Sequence, residues 1–143
     1  MENKIFIDAE NAILGRLASI AAKLALEGKE VIIFNAEKAV ISGKKQAILN
    51  EVKRKLETRT LASVEKSPTH PRRPDVYVRR VIRGMLPWKK PKGKSAYKRV
   101  KVYIGIPENF NGKLIKIPEA DSSKLKCKKI KIEELCKEIG GLK

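Results

Sequence analysis

Between residues 5 and 34 the apolar residues change period twice, and that alternation limits the fold more than any other feature of the chain. Ile5-Phe6-Ile7 is a short β-prone run. Leu14, Leu17, Ala18, Ala21, Leu24 and Ala25 then recur at intervals of three and four, the spacing that lays one apolar stripe along a helix. Asp8 or Asn11 is placed to cap its start, and Gly28 stands where helices commonly end. Val31-Ile32-Ile33-Phe34 is a continuous apolar run with the β-branched content of a strand buried on both faces. Strand, helix, strand predicts a parallel crossover and an α/β fold.

Further along, Val40-Ile41 leads into Ser42-Gly43, a helix start, and Ile48, Leu49, Val52 and Leu56 give the following helix one apolar face. From Leu61 to Pro74 periodicity fades while Pro68, Pro71 and Pro74 accumulate, which predicts an exposed connection. A helix should begin at Pro74-Asp75, where proline suits the first turn and aspartate the positive end of the dipole, and run to about Gly84. Pro87 to Lys94 reads as an extended loop, and Val100-Lys101-Val102-Tyr103-Ile104 as a strand. Pro107 and Asn111-Gly112 mark turns. Ile132, Leu135, Cys136 and Ile139 predict a short amphipathic helix over 130–139, closed by Gly140-Gly141. No internal repeat is evident, and 143 residues suit a single domain spanning 1–143.

The formal net charge is +17, far beyond what solubility asks of a small domain. Residues 66–104 hold 13 of the basic residues and one acidic residue, so +12 of the excess lies in the middle of the chain. Such a segment asks for a polyanion, either nucleic acid or an acidic membrane surface. No apolar run approaches the ~18 residues of a membrane span, and Met1-Glu2-Asn3-Lys4 leads into a strand without a signal-peptide pattern. A cytoplasmic protein with no membrane partner is expected, with Cys127 and Cys136 both reduced. His70 is the only histidine and lies far from both cysteines, so a zinc site is not expected, nor is a Ser-His-Asp or Cys-His constellation. Within Pro68-Thr69-His70-Pro71 this histidine suits a structural or RNA-contacting role. No cofactor is expected.

Arg72, Arg73, Arg79, Arg80 and Arg83 fall within twelve residues. On a helix Arg79, Arg80 and Arg83 share a face that should point outward, while Tyr77, Val78, Val81 and Ile82 point largely elsewhere. A guanidinium donates two parallel hydrogen bonds to phosphate and stays charged, and few acidic residues are interleaved to pair with these arginines. Pro87-Trp88-Lys89-Lys90-Pro91-Lys92-Gly93-Lys94 continues the charge, and Lys98 and Arg99 extend it. Trp88 offers a flat face to an unpaired base and equally a body to pack in the core. Two fragments fail as nucleotide-binding loops. Gly93-Lys94-Ser95 would need glycine where Trp88 stands, and Ser42-Gly43-Lys44-Lys45 has Lys38 at the first glycine position and Lys45 at the Ser/Thr position. What remains there is a helix start whose N–H groups, beside Lys44 and Lys45, suit one RNA phosphate.

Val81-Ile82-Arg83-Gly84-Met85-Leu86-Pro87, Gly93-Lys94 and Val100-Lys101-Val102-Tyr103-Ile104-Gly105 together resemble the signature of a known family, the universal large-subunit ribosomal protein numbered thirteen. The resemblance extends to Asp8, to Ala12-Ile13-Leu14-Gly15-Arg16-Leu17-Ala18-Ser19, to Ile41-Ser42-Gly43-Lys44-Lys45 and to Gly105-Ile106-Pro107. It implies a three-layer α/β/α fold with a mostly parallel four-stranded sheet. It also implies binding to large-subunit ribosomal RNA beside neighbouring large-subunit proteins, a part in early subunit assembly, no catalysis and no small-molecule substrate. It places RNA contacts on Arg79, Arg80, Arg83, Lys89, Lys90 and Lys94, and also on Arg16, Lys44 and Lys45. The short N-terminus and Gly105-Ile106-Pro107 are closer to archaeal forms, and residues 60–74 depart from the tyrosine- and glycine-rich stretch of bacterial members. Rival expectations are a nucleotide-dependent enzyme, because crossover sheets often host nucleotides, and a DNA-compacting protein, which charge alone permits.

Overall fold

A computed structural model describes residues 3–142. β1 (Lys4–Asp8), α1 (Leu14–Leu26) and β2 (Glu30–Phe34) form the expected crossover, with β1 and β2 parallel from Lys4↔Glu30 to Asp8↔Phe34. β3 (Val40–Ser42), α2 (Lys45–Glu57), α3 (Pro74–Gly84), α4 (Pro91–Lys98) and β4 (Val100–Val102) follow, then β5 (Leu114–Ile115), β6 (Lys129–Lys131) and α5 (Ile132–Glu138). Four strands make a parallel sheet in the order β4-β2-β1-β5, while β3 and β6 pair antiparallel beside it. A parallel four-stranded sheet flanked by helices gives the α/β/α class expected from the sequence.

The order of the strands sorts their connections onto faces. From β1 to β2 to β4 the chain steps in one direction, so connections of one hand place α1, α3 and α4 on one face. Ile7, Val31, Ile33, Val100 and Val102 point into that face and pack with Leu17, Ala18, Ala21, Ala25, Val78, Ile82 and Ala96. Leu17, Ile33, Val78 and Ile82 are fully buried, and each such side chain contributes about 1.5–3 kcal/mol. The step from β4 to β5 runs the other way, and its connection covers the other face. There the Phe110 ring lies edge-on to Phe6 and Phe34 at 4.8 and 4.9 Å. A smaller cluster of Leu49, Ile130 and Leu135 joins α2 and α5 to the β3–β6 pair, and both clusters touch Ile41 and Tyr77.

Several boundaries differ from the sequence expectation. α1 is capped by neither Asp8 nor Asn11, for its N-cap is Ile13 and no side chain bonds there. Asp8 instead accepts hydrogen bonds from Asn35 Nδ2 at 2.9 Å and the Glu10 N–H at 3.0 Å, tying the ends of β1 and β2 together. β4 stops at Val102, because the chain turns to give the Tyr103 and Gly105 carbonyls to the N–H groups of Ala36 and Asn35. In the tail, Lys129-Ile130-Lys131 alternates exposed, buried, exposed and is a strand, so helix begins only at Ile132. Gly140, at φ +85°, follows that helix in the left-handed conformation that glycine adopts freely.

The largest departure is α4. The stretch that reads as an extended loop is helical from Pro91, whose fixed φ suits a first helical turn. Gly93 is buried, and a Cβ there would collide with the Pro87 carbonyl oxygen. Gly93 and Ala96 are buried at a helical interval and seat α4 on the core, contacts that local composition does not reveal. No helix among the described residues is long and apolar enough to cross a membrane.

Candidate nucleic-acid interface

α3 begins at Pro74, with the Asp75 carboxylate accepting from the Val76 N–H at 2.9 Å. Burial of Val78 and Ile82 fixes the rotation of the helix, and the arginines take different roles. Arg80 is exposed. Arg79 does not point outward as expected. Its Nε donates to the Val100 carbonyl at 3.2 Å, its Nη2 reaches the Tyr97 carbonyl at 3.5 Å, and its guanidinium lies 4.3 Å from the centre of the Tyr97 ring. The reason is its position beside β4, the last strand of the sheet, whose outer carbonyls lack a neighbouring strand.

Arg83 is half-buried and stacks on Trp88 at 4.1 Å. Trp88 meets Tyr97 edge-to-face at 4.9 Å. Arg79, Tyr97, Trp88 and Arg83 therefore form one continuous ladder that clamps α4 onto α3. Each exposed cation–π contact contributes ~0.5–1 kcal/mol, and the aromatic pair ~0.5–1.5 kcal/mol. Trp88 thus packs against its own chain on the face that Arg83 covers.

Outside the ladder, Lys89, Lys90, Lys92, Lys94 and Lys98 are exposed on and beside α4. None of them, nor Arg80, makes an ion pair among the described residues. Other cations are engaged. Arg73 pairs with Asp75 at 3.4 Å, and Arg72 donates to the Ile139 carbonyl at 2.6 Å. Arg99 donates to the Ala25 carbonyl at 3.0 Å, a cation at the negative end of α1. Lys101 binds Glu30 at 2.7 Å, a bond that lowers the carboxyl pKa and raises that of the lysine. Arg16 reaches the Glu119 carbonyl at 3.3 Å, Lys44 is the exposed N-cap of α2, and Lys45 lies 3.9 Å from Glu138. The structure therefore gathers Arg80 with the α4 lysines and leaves Arg16, Lys44 and Lys45 on other elements.

Two cations outside the central segment join it. Lys55 of α2, which also pairs with Glu51 at 3.3 Å, lines a cavity with Arg80, and Lys23 of α1 lines a depression with Lys92. Sequence reasoning passed over both. Lys55 lies between Val52 and Leu56, so its flank of α2 was readable, but nothing local fixes the approach of α2 to α3. The fragment Gly93-Lys94-Ser95 lies inside α4, where a phosphate-cradling loop has no room to form; a helix occupies the place where the sequence suggested a loop and then a strand. Among the described residues, no group of three or more His, Cys, Asp and Glu side chains is arranged to hold a metal ion.

The profile of the family described as ribosomal protein L13 matches residues 2–109. Among curated proteins, the large ribosomal subunit protein uL13 of Methanocaldococcus jannaschii is 48% identical over 137 residues, covering 94% of this chain and 96% of the relative. The protein of the same name from Saccharolobus solfataricus is 45% identical over 141 residues, covering 97% and 94%. That from Methanopyrus kandleri is 48% identical over 122 residues, covering 83% and 75%. These archaeal relatives agree with the archaeal character read from Gly105-Ile106-Pro107, and together with the profile they show that the chain belongs to the ribosomal protein L13 family.

Proposed function

We propose that the chain is a structural constituent of the large ribosomal subunit, where it binds large-subunit ribosomal RNA through α3 and α4 and supports early assembly without catalysis. The observation that carries this reading is the exposed set Arg80, Lys89, Lys90, Lys92, Lys94 and Lys98, which has no acidic partner among the described residues. Cations left unpaired on a helix pair that is itself clamped to the core repel one another until a polyanion arrives. RNA backbone supplies phosphates at close spacing, and binding releases the counterions condensed on it. Arg83 stays on the proposed surface, since a guanidinium stacked on Trp88 keeps donors free at its edge. Arg72, Arg73, Arg79 and Arg99 serve chiefly to build the platform. Family membership supports the ribosomal assignment, and the relatives carry the name of a large-subunit protein. Neighbouring large-subunit proteins and a cytoplasmic setting follow from the same reading.

Sedimentation of the native protein tests it. The protein should travel with large subunits, and its absence from that fraction would overturn the assignment. Competition between large-subunit RNA and duplex DNA separates this reading from general DNA compaction, which predicts equal affinity. A nucleotide-dependent enzyme would be revived by micromolar binding of ATP.

A further inference from the structure

A cavity of about 190 Å³ opens between α2 and α3 beside the connection that carries His70. Val52, Leu56, Tyr77 and Val81 give it apolar and aromatic walls, and Lys55 and Arg80 are its charged members. No acidic residue lines it, although the Lys55 ammonium also pairs with Glu51 at 3.3 Å. His70 Nε2, in its wall, is the one side-chain nitrogen or oxygen among the described residues that is buried without a hydrogen-bond partner. A buried polar atom without a partner is uncommon in folded proteins and calls for an explanation. A group that is small, flat enough to lie along an apolar wall and polar at one edge would supply that partner. A negative charge attached to it would meet Arg80 and Lys55, the two charged residues of the cavity.

We infer that this cavity receives one unpaired nucleobase from the RNA bound on α3 and α4, with the polar edge of the base partnering His70 Nε2 and its phosphate lying against Arg80 and Lys55. The inference rests on the RNA-binding reading of those helices. Arg80 connects the two, because it also lines the neighbouring depression formed with Arg83, Leu86 and Trp88. A strand tracking the exposed cations therefore passes the mouth of the cavity. Single-stranded RNA is commonly recognised by splaying a base out of the stack and seating it on an aromatic side chain, a part that Tyr77 can fill. A neutral imidazole carries its proton on either nitrogen, so Nε2 can donate or accept, and base edges offer both kinds of group. The volume lies below the ~300–1,000 Å³ of sites for larger ligands, which favours a single base over a free dinucleotide.

His70 is the only histidine, so its ring protons give an isolated NMR signal in the full chain. The protein is titrated with single-stranded adenine and uracil ribonucleotide nonamers, and with an abasic ribose-phosphate nonamer of the same charge. At least one base-bearing nonamer should move the His70 signal, and the abasic one should not. His70→Phe, which keeps an aromatic ring in the wall, should weaken the base-bearing nonamer about tenfold and leave the abasic one unchanged. Movement by the abasic nonamer equal to that by the others would overturn the inference. So would a signal that stays still while base-bearing nonamers bind, a result that assigns the cavity to water or a protein side chain and leaves the RNA reading of α3 and α4 standing. Failure of all nonamers and of ribosomal RNA to bind would overturn both. The wild-type signal decides the matter if His70→Phe does not fold.

Discussion

Arg79 and Arg80 are adjacent, carry the same charge and should fail in opposite ways when changed to glutamine. Arg79 Nε donates to the Val100 carbonyl at 3.2 Å with the guanidinium 4.3 Å from the Tyr97 ring. A hydrogen bond from a charged group contributes ~1.5–3 kcal/mol, and the lower end applies at this half-buried place. The 3.5 Å contact with the Tyr97 carbonyl is too long to add much. Stacking adds ~0.5–1 kcal/mol. Glutamine keeps part of the packing but neither charged interaction, so Arg79→Gln should destabilise by about 2 kcal/mol. At a chain length of 143 residues that corresponds to a Tm lower by roughly 5–8 °C. Arg80→Gln should stay within ~0.5 kcal/mol, as changes on an exposed surface do. RNA affinity measured across a salt series reverses the order. Arg80→Gln should flatten the slope by ~0.7–0.9 for one lost phosphate contact, and Arg79→Gln should leave the slope of the folded protein nearly unchanged. Urea unfolding and the salt series together form the assay. Equal loss of stability in both variants, or equal loss of slope, would refute the assignment of one arginine to the platform and the other to the surface.

Three further outcomes follow from the same geometry. Gly93→Ala forces a methyl group against the Pro87 carbonyl and should destabilise by about 3 kcal/mol, the upper range for overpacking, as read by urea denaturation; Ser95→Ala on the exposed side of α4 should be nearly neutral. Cys127 is exposed, whereas burial pushes the Cys136 thiol up to about 12; one thiol per native chain should therefore react with a disulfide reagent at pH 8, and the second only on unfolding. Because the Cys136 value is raised in the folded state, its contribution to stability is intact below the unfolded value near 9 and declines between there and about 12, an alkaline loss that Cys136→Ala should reduce. Changing Lys90, Lys92 and Lys94 together to glutamine should flatten the salt slope of RNA binding by roughly 2, while the same change at Lys124, Lys126 and Lys128 should remove well under 1; equal losses would mean that charge acts diffusely.

What the sequence made legible was whatever is decided within one turn or one strand. α3 runs from Pro74 to Gly84 as expected, because proline, aspartate and the buried spacing of Val78 and Ile82 act locally. The crossover was legible because Val31-Ile32-Ile33-Phe34 cannot sit in an exposed strand. α4 was not legible, since lysine, proline and glycine dominate it and each alone suggests a loop. Its helicity depends on Gly93 meeting Pro87 and on Ala96 meeting the core, contacts that exist only after α3 is docked. β6 was half-legible, because Lys129-Ile130-Lys131 alternates in the manner of a strand but borders a stronger helical pattern.

The inward turn of Arg79 belongs to a third kind of feature, one that topology decides. Spacing places Arg79 and Arg83 on one stripe, yet whether that stripe meets solvent depends on what lies beside it. The sheet ends at β4 on that side, so carbonyls of an edge strand face α3 without a strand to bond them. An arginine is suited to that place because its planar donors reach a carbonyl while its face covers an aromatic ring. The sequence carried only one partner locally, for Trp88 follows Arg83 closely, whereas Tyr97 lies 18 residues beyond Arg79 and reaches it only once α4 has folded back on α3. Two of the three α3 arginines, Arg79 and Arg83, thus fix α4, and that fixing is what makes the remaining charge useful. Five exposed lysines on and beside a helix as short as α4 repel one another, and the ladder and the Gly93 contact oppose that repulsion. Held in place, the same cations present a surface whose ordering entropy was lost at folding, so RNA meets it preorganised.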